Sequence, residues 1–97
     1  MDQSTNQQQI QVKVSDEVLK GAYANMVQIG HNPEEFVLDF MNLLPPTGIA
    51  VARVILSPAH AKRVAAALQE NIKRYEEQFG AITATAAPDH KIGFRTE

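Results

Sequence analysis

Cysteine is absent from this chain of 97 residues, as is tryptophan. Without cysteine the chain has no disulfide and no thiolate, either for catalysis or for binding zinc. No apolar run approaches the roughly 18 residues that a membrane-spanning helix needs. Residues 1–9 are polar and glutamine-rich, and they lack the basic and apolar regions of a secretory signal. We therefore expect a cytoplasmic protein without a membrane segment.

The chain also has no large excess of positive or negative charge. The formal net charge is −2, with no basic stripe of the kind that nucleic-acid binders usually carry. Hydrophobic residues make up 44% of the chain and charged residues 21%, which is ordinary for a globular protein. The length fits one small domain. We expect that domain over residues 10–80, between a flexible polar tail (1–9) and a loosely ordered C-terminal tail (81–97).

Four segments of the chain have the patterns of β-strands. Residues 10–15 alternate apolar and polar side chains, which predicts a half-buried strand at a sheet edge. Residues 19–29 show no helical stripe and predict a second strand, with a helical start as the alternative. Residues 35–43 and 49–56 are rich in strand-forming residues, and the break between them contains two prolines, which cannot donate to a ladder.

The last two strands predict a hairpin in which both faces are apolar. One register sets Asp39 opposite Arg53, and opposite charges across a ladder stabilise it. The same register makes two apolar pairs, Val37 with Ile55 and Met41 with Val51. These four apolar residues are candidates for an interface, because a single helix covers only one face of a sheet. We therefore expect a homo-oligomer, and first of all a dimer, to cover the other face.

One long helix follows the sheet. Ser57 is suited to cap its N-terminus, Pro58 fits the first helical position, and Gly80 is suited to end it. An apolar stripe runs along one side: Ala61, Val64, Ala65, Leu68, Ile72, Tyr75 and Phe79. The predicted fold is therefore α+β, with an antiparallel, meander-like sheet of four strands and one long C-terminal helix packed on one face.

The sequence contains no recognisable catalytic, metal-binding or phosphate-binding motif. His31, His60 and His90 lack the spacing of a helical metal pair, and the serines and glycines form no nucleophile or phosphate-loop motif. Asp39 interrupts an apolar strand, so it is either an acid with a perturbed pKa or the structural partner of Arg53, and we favour the second. We expect no catalytic, cofactor-binding or metal-binding residues. Four residues are assigned structural roles: Asp39, Arg53, Ser57 and Gly80.

Two longer segments carry a resemblance to a known family. They are YANMVQIGHNPEEFVLDFMNLLP and ARVILSPAHAKRVAAALQENIKRYEEQFG, and NPEEFVLDF and ILSPAHAKR are their most specific parts. The chain resembles domain-of-unknown-function family 3467 over about residues 10–80. The resemblance implies a small cytoplasmic prokaryotic protein. That family is functionally uncharacterised, so no catalytic residue is implied by it.

The leading functional hypothesis is a non-enzymatic, oligomeric protein-interaction module of the adaptor or chaperone-like kind. Its support is the doubly apolar hairpin, together with the lack of a catalytic motif. The alternative is a nucleic-acid-associated regulatory protein. A third hypothesis is a small-ligand or metal binder that uses His31, His60 or Asp39 at a subunit interface. No cofactor is expected, and the protein partner stays unidentified at this level.

Overall fold

The structure, a computed structural model, describes residues 8–83 and 91–96. Its elements are, in chain order, α1 (Asp16–Lys20), β1 (Met26–His31), β2 (Phe36–Leu44), β3 (Thr47–Leu56) and α2 (Pro58–Phe79). They fall into two compact units, Met1–Ala61 with the sheet and Lys62–Glu97 with most of α2. The prediction of a single domain over residues 10–80 stays a prediction. Among the described residues, no helix is both long and apolar enough to cross a membrane.

The sheet has three antiparallel strands in the order β1-β2-β3. Three strands followed by a C-terminal helix form an α+β arrangement, so the predicted class is confirmed. The predicted count of four strands is wrong. Both β1 and β3 are edge strands, and β2 lies between them.

The predicted strand at residues 10–15 is the one that is missing. These residues belong to no strand or helix, although Ser15 at their end is extended (φ −78°, ψ 159°). Alternating apolar side chains require only an extended chain with one apolar side. They do not specify which strand, if any, supplies the ladder of hydrogen bonds.

A short helix replaces the first part of the predicted strand at 19–29. Ser15 Oγ accepts a hydrogen bond from the Val18 amide at 3.2 Å, which caps α1. Asp16 and Glu17 stand in the first turn, where the helix dipole favours negative charge. Gly21 ends the helix with φ +79°. The strand prediction is therefore wrong for residues 19–25, because β1 begins only at Met26. The alternative of a helical start is confirmed for Leu19 and Lys20.

The hairpin of β2 and β3 follows the predicted register up to a bulge. Asp39 lies opposite Arg53 and Val37 opposite Ile55, as predicted. Met41 lies opposite Ala50, so the predicted pair of Met41 with Val51 is wrong. The register shifts between Phe40 and Met41, and Val51 is the extra residue on β3. Past the bulge the alternation of β3 is reversed, which transfers Ile49 to the other face of the sheet.

Two tight turns connect the strands. Between β1 and β2, Asn32 Oδ1 accepts hydrogen bonds from the amides of Glu34 (2.8 Å) and Glu35 (2.9 Å). Such an Asx turn lets the side chain satisfy backbone donors that the reversal leaves unpaired. Between β2 and β3 the turn is Pro45–Pro46, joined by a cis peptide bond.

Helix α2 has the predicted bounds. Ser57 Oγ accepts a hydrogen bond from the His60 amide at 3.2 Å, which is N-cap geometry. Gly80 follows the last helical residue with φ +100°, and its amide donates to the Glu76 carbonyl at 2.9 Å. Glu76 Oε2 also accepts from the Ile82 amide at 2.9 Å, so this side chain holds the residues that leave the helix.

Burial is sparse throughout the described residues. Met41, on the central strand, is 2% exposed and is the one buried hydrophobic side chain among these residues. The predicted tails at 1–9 and 81–97 lie partly outside the described residues, at 1–7, 84–90 and 97.

Candidate interaction surface

The strand register defines one continuous apolar face of the sheet. Residues opposite each other in an antiparallel ladder lie on the same face, and side chains alternate between faces along each strand. Applied to the observed pairs, this places a run of apolar side chains together. The apolar face consists of Val27, Ile29, Phe36, Leu38, Phe40, Leu44, Ile49, Ala52, Val54 and Leu56. The same register places three polar side chains on this face, those of His31, Asn42 and Thr47.

Much of the apolar face is accessible to solvent. On its two edge strands and at the hairpin turn the side chains are exposed, except for Leu56, which is half-buried like the side chains of central β2. Ile29 on β1 is 56% exposed and Ile49 on β3 is 67% exposed. The register places no carboxylate, lysine or arginine on this face. An uncharged apolar surface of this kind is typical of a protein–protein contact.

The opposite face carries an ion pair. Arg53 Nε donates to Asp39 Oδ1 at 2.6 Å and its Nη2 donates to Oδ2 at 3.0 Å, so the two groups meet in a bidentate fork. This hydrogen bonding, opposed by partial desolvation and aided by the opposite charge, holds the pKa of Asp39 below its usual value. The same contacts raise the pKa of Arg53. The arrangement fits the structural assignment of both residues, because each charge is matched within the sheet.

Asn25, which lies just before β1, holds the end of β2 through hydrogen bonds. Its side-chain amide donates to the Leu43 carbonyl at 3.0 Å, and its Oδ1 accepts from the Leu43 amide at 2.8 Å. Its own backbone amide donates to the Met41 carbonyl at 3.0 Å. A side chain thus supplies the last rung of the ladder, and it does so close to the buried Met41.

The predicted apolar stripe of α2 is exposed over most of its length. Leu68, Ile72, Tyr75 and Phe79 are all exposed, and Leu68 is 60% so. The rings of Tyr75 and Phe79, one turn apart, lie with centroids 5.0 Å from each other. An exposed apolar stripe of this kind is a second surface typical of a protein–protein contact.

A second exposed apolar segment lies ahead of α1. We call residues 10–14 the arm. Its three apolar side chains are 77% (Ile10), 82% (Val12) and 53% (Val14) exposed. No backbone or side-chain hydrogen bond connects the arm to another described residue.

The predicted interface candidates have different surroundings. Met41 is buried within its own chain, and its part in an interface stays a prediction. Ile55 is exposed, Val37 and Val51 are half-buried, and their part in an interface stays a prediction. Ile49 lies on the same face as Val54 because of the bulge. This could not be predicted from the sequence, because the alternation of apolar residues does not reveal a bulge.

The histidines are not brought together among the described residues. His31 stacks on Phe36 across β1 and β2, with ring centroids 5.3 Å apart. His60 lies in the first turn of α2, and His90 is outside the described residues. Within residues 8–83 and 91–96, no group of three or more histidines or carboxylates is arranged to hold a metal ion.

A protein-family model matches most of the chain. The model of the family described as Protein of unknown function (DUF3467) matches residues 1–84. No curated protein and no solved structure matches the chain.

Proposed function

The chain belongs to the DUF3467 family, and we propose that it acts as an oligomeric protein-interaction module, in the first place a symmetric homodimer. The proposed module is not an enzyme; it presents surfaces to another protein as an adaptor or chaperone-like component does. Its proposed place of action is the cytoplasm. The observation that carries the proposal is the exposure of apolar side chains on both the sheet and the helix.

The energetic argument starts from the number of these side chains. Eighteen large hydrophobic side chains among the described residues are exposed, and Met41 is the one that is buried. Each such side chain gains about 1.5–3 kcal/mol on burial. Fixing one backbone residue costs about 1–2 kcal/mol, so an isolated chain that buries so little has a weak basis for a stable fold. A second copy supplies the missing burial without disulfides or metals, which supports self-association.

The apolar face is the surface best suited to this contact. It is uncharged, and its exposed edge residues surround the half-buried aromatic rings of Phe36 and Phe40 on β2. In a dimer with a two-fold axis, the apolar face of one copy contacts the apolar face of the other. Because this face contains no carboxylate, lysine or arginine, the contact brings no such side chains of like charge together. The Asp39–Arg53 pair on the opposite face is already matched and requires no partner.

The mass of the chain in solution tests the proposal. We expect size-exclusion chromatography with light scattering to give twice the chain mass of 10.7 kDa, with dissociation only on strong dilution. A monomer at every concentration would contradict the homodimer.

Two matched substitutions on the edge strands test the surface. Ile29→Glu, on β1, places a carboxylate on the apolar face, whereas Ile55→Glu, on β3, places the same group on the opposite face. The two isoleucines are exposed to nearly the same extent, 56% and 55%. We expect the first to weaken the dimer at least about tenfold, because one large apolar side chain per copy is lost from the contact. The second is expected to leave the dimer unchanged. Equal effects of the two would contradict the assignment of the apolar face.

A further inference from the structure

The arm has the properties of a strand that lacks a sheet. Ile10, Val12 and Val14 alternate with polar residues, and all three are exposed. The arm is described in the same compact unit as the sheet, yet it belongs to none of the sheet's strands. An extended segment with one apolar side gains both hydrogen bonds and burial when it is added to a sheet edge.

We propose that the arm of one copy adds as a strand to the β1 edge of a second copy, so that two copies exchange arms around a two-fold axis. The inference rests on the proposed homodimer and specifies how its copies are joined. Exchange of identical segments is a low-cost route to a symmetric dimer, since each copy provides one arm and receives one.

The composition of the two edges favours β1. β1 contains no proline and no carboxylate, lysine or arginine, and its register with β2 is regular throughout. β3 is interrupted by the bulge at Val51 and carries Arg53. Bulges and charges are features that protect a strand edge from further pairing. Lys13 of the arm would also share a sheet face with Arg53 if the arm were added there.

The alternation of the arm then fixes its orientation on β1. Its apolar side chains belong on the face that carries Val27 and Ile29, which enlarges the apolar face. Gln11 and Lys13 lie on the side of Gln28, where no charged residue of β1 faces them. A slip of one residue would reverse both sides, so only registers two residues apart are compatible with the pattern.

The first test uses two adjacent positions of the arm. Val12→Asp puts a carboxylate on the apolar side of the arm, and Gln11→Asp puts one on the polar side. We expect Val12→Asp to raise the dissociation constant of the dimer roughly a hundredfold, because two arms are affected and each buried valine contributes about a factor of ten. Gln11→Asp is expected to leave that constant within a few-fold of the unsubstituted chain's.

The second test uses the absence of cysteine, which leaves any introduced thiol without competitors. Chains carrying only Val12→Cys are mixed with mass-tagged chains carrying only Ile29→Cys, so a disulfide between the two variants joins different chains. Cross-strand neighbours approach closely enough for a disulfide. We expect that disulfide to form under mild oxidation. We expect none when Val54→Cys, on β3, replaces Ile29→Cys.

The outcomes separate the two proposals. A dimer in which Val12→Asp has no effect, or in which Val12→Cys is joined to Val54→Cys and not to Ile29→Cys, overturns the arm exchange and leaves the homodimer standing. A chain that is monomeric at all concentrations overturns the homodimer and the exchange with it.

Discussion

At the scale of single residues, Asp39 and Arg53 show how a charge is accommodated in an apolar strand. The carboxylate is held by both ends of the guanidinium fork, at 2.6 and 3.0 Å. Each group thereby has a partner on its own sheet face, and the hairpin register is fixed by a directional contact as well as by apolar matching.

The depressed pKa of Asp39 predicts how stability depends on pH. A carboxyl group whose pKa is lower in the folded chain than in the unfolded chain stabilises the fold above its unfolded pKa. That stabilisation is lost as the pH falls through the folded pKa. We expect the melting temperature to fall at acidic pH, and this part of the fall to disappear in Asp39→Asn.

Thermal unfolding followed by circular dichroism between pH 6 and pH 2.5 measures this difference. The variant is expected to be less stable at neutral pH and to approach the unsubstituted chain at the acid end. A constant gap across the whole range would mean that Asp39 contributes no pH dependence.

At the scale of elements, the ends of the two helices follow local signals. Ser15 and Ser57 cap their N-termini through side-chain oxygens, and Gly21 and Gly80 end them at positive φ. These signals involve residues within three or four positions of each other. The caps of α2 were predictable for that reason, and those of α1 were present in the sequence but were outweighed by the apolar residues that follow.

Gly80 offers a test at the end of α2. At φ +100° a Cβ is unfavourable, so we expect Gly80→Ala to lower the free energy of unfolding by about 1–2 kcal/mol. Gly30→Ala is the control, because Gly30 lies in β1 without positive φ and a Cβ there meets no atom within 4 Å. Urea unfolding of both variants at one protein concentration measures the difference. Equal effects would show that the backbone conformation at Gly80 contributes nothing.

At the scale of the whole molecule, the exposed apolar surfaces dominate. The apolar face, the stripe of α2 and the arm each leave large hydrophobic side chains in water. Contact with a second copy would bury all three apolar surfaces. The proposed arm exchange would also provide hydrogen-bond partners for the backbone amide and carbonyl groups along the free edge of β1. Folding and association are then coupled, as is common for obligate dimers.

Coupled folding and association predict a stability that depends on protein concentration. A tenfold increase in concentration adds about 1.4 kcal/mol per dimer to the free energy that separates folded dimer from unfolded chains. We therefore expect the melting temperature to rise steadily over a hundredfold range of concentration, measured by calorimetry. Ile29→Glu, which weakens the proposed contact, is expected to melt lower. A melting temperature independent of concentration would contradict the coupling.

Local patterns in the amino-acid sequence are sufficient to predict part of the fold. The bounds of α2, the hairpin of β2 and β3, and the pairs of Asp39 with Arg53 and Val37 with Ile55 all follow from caps, turn residues and period-two alternation. The tertiary structure alone decided the bulge at Val51, the three-stranded sheet and the unpaired arm. These depend on contacts between residues far apart in the chain, because an extended segment has the same alternation whether or not another strand is present to pair with it.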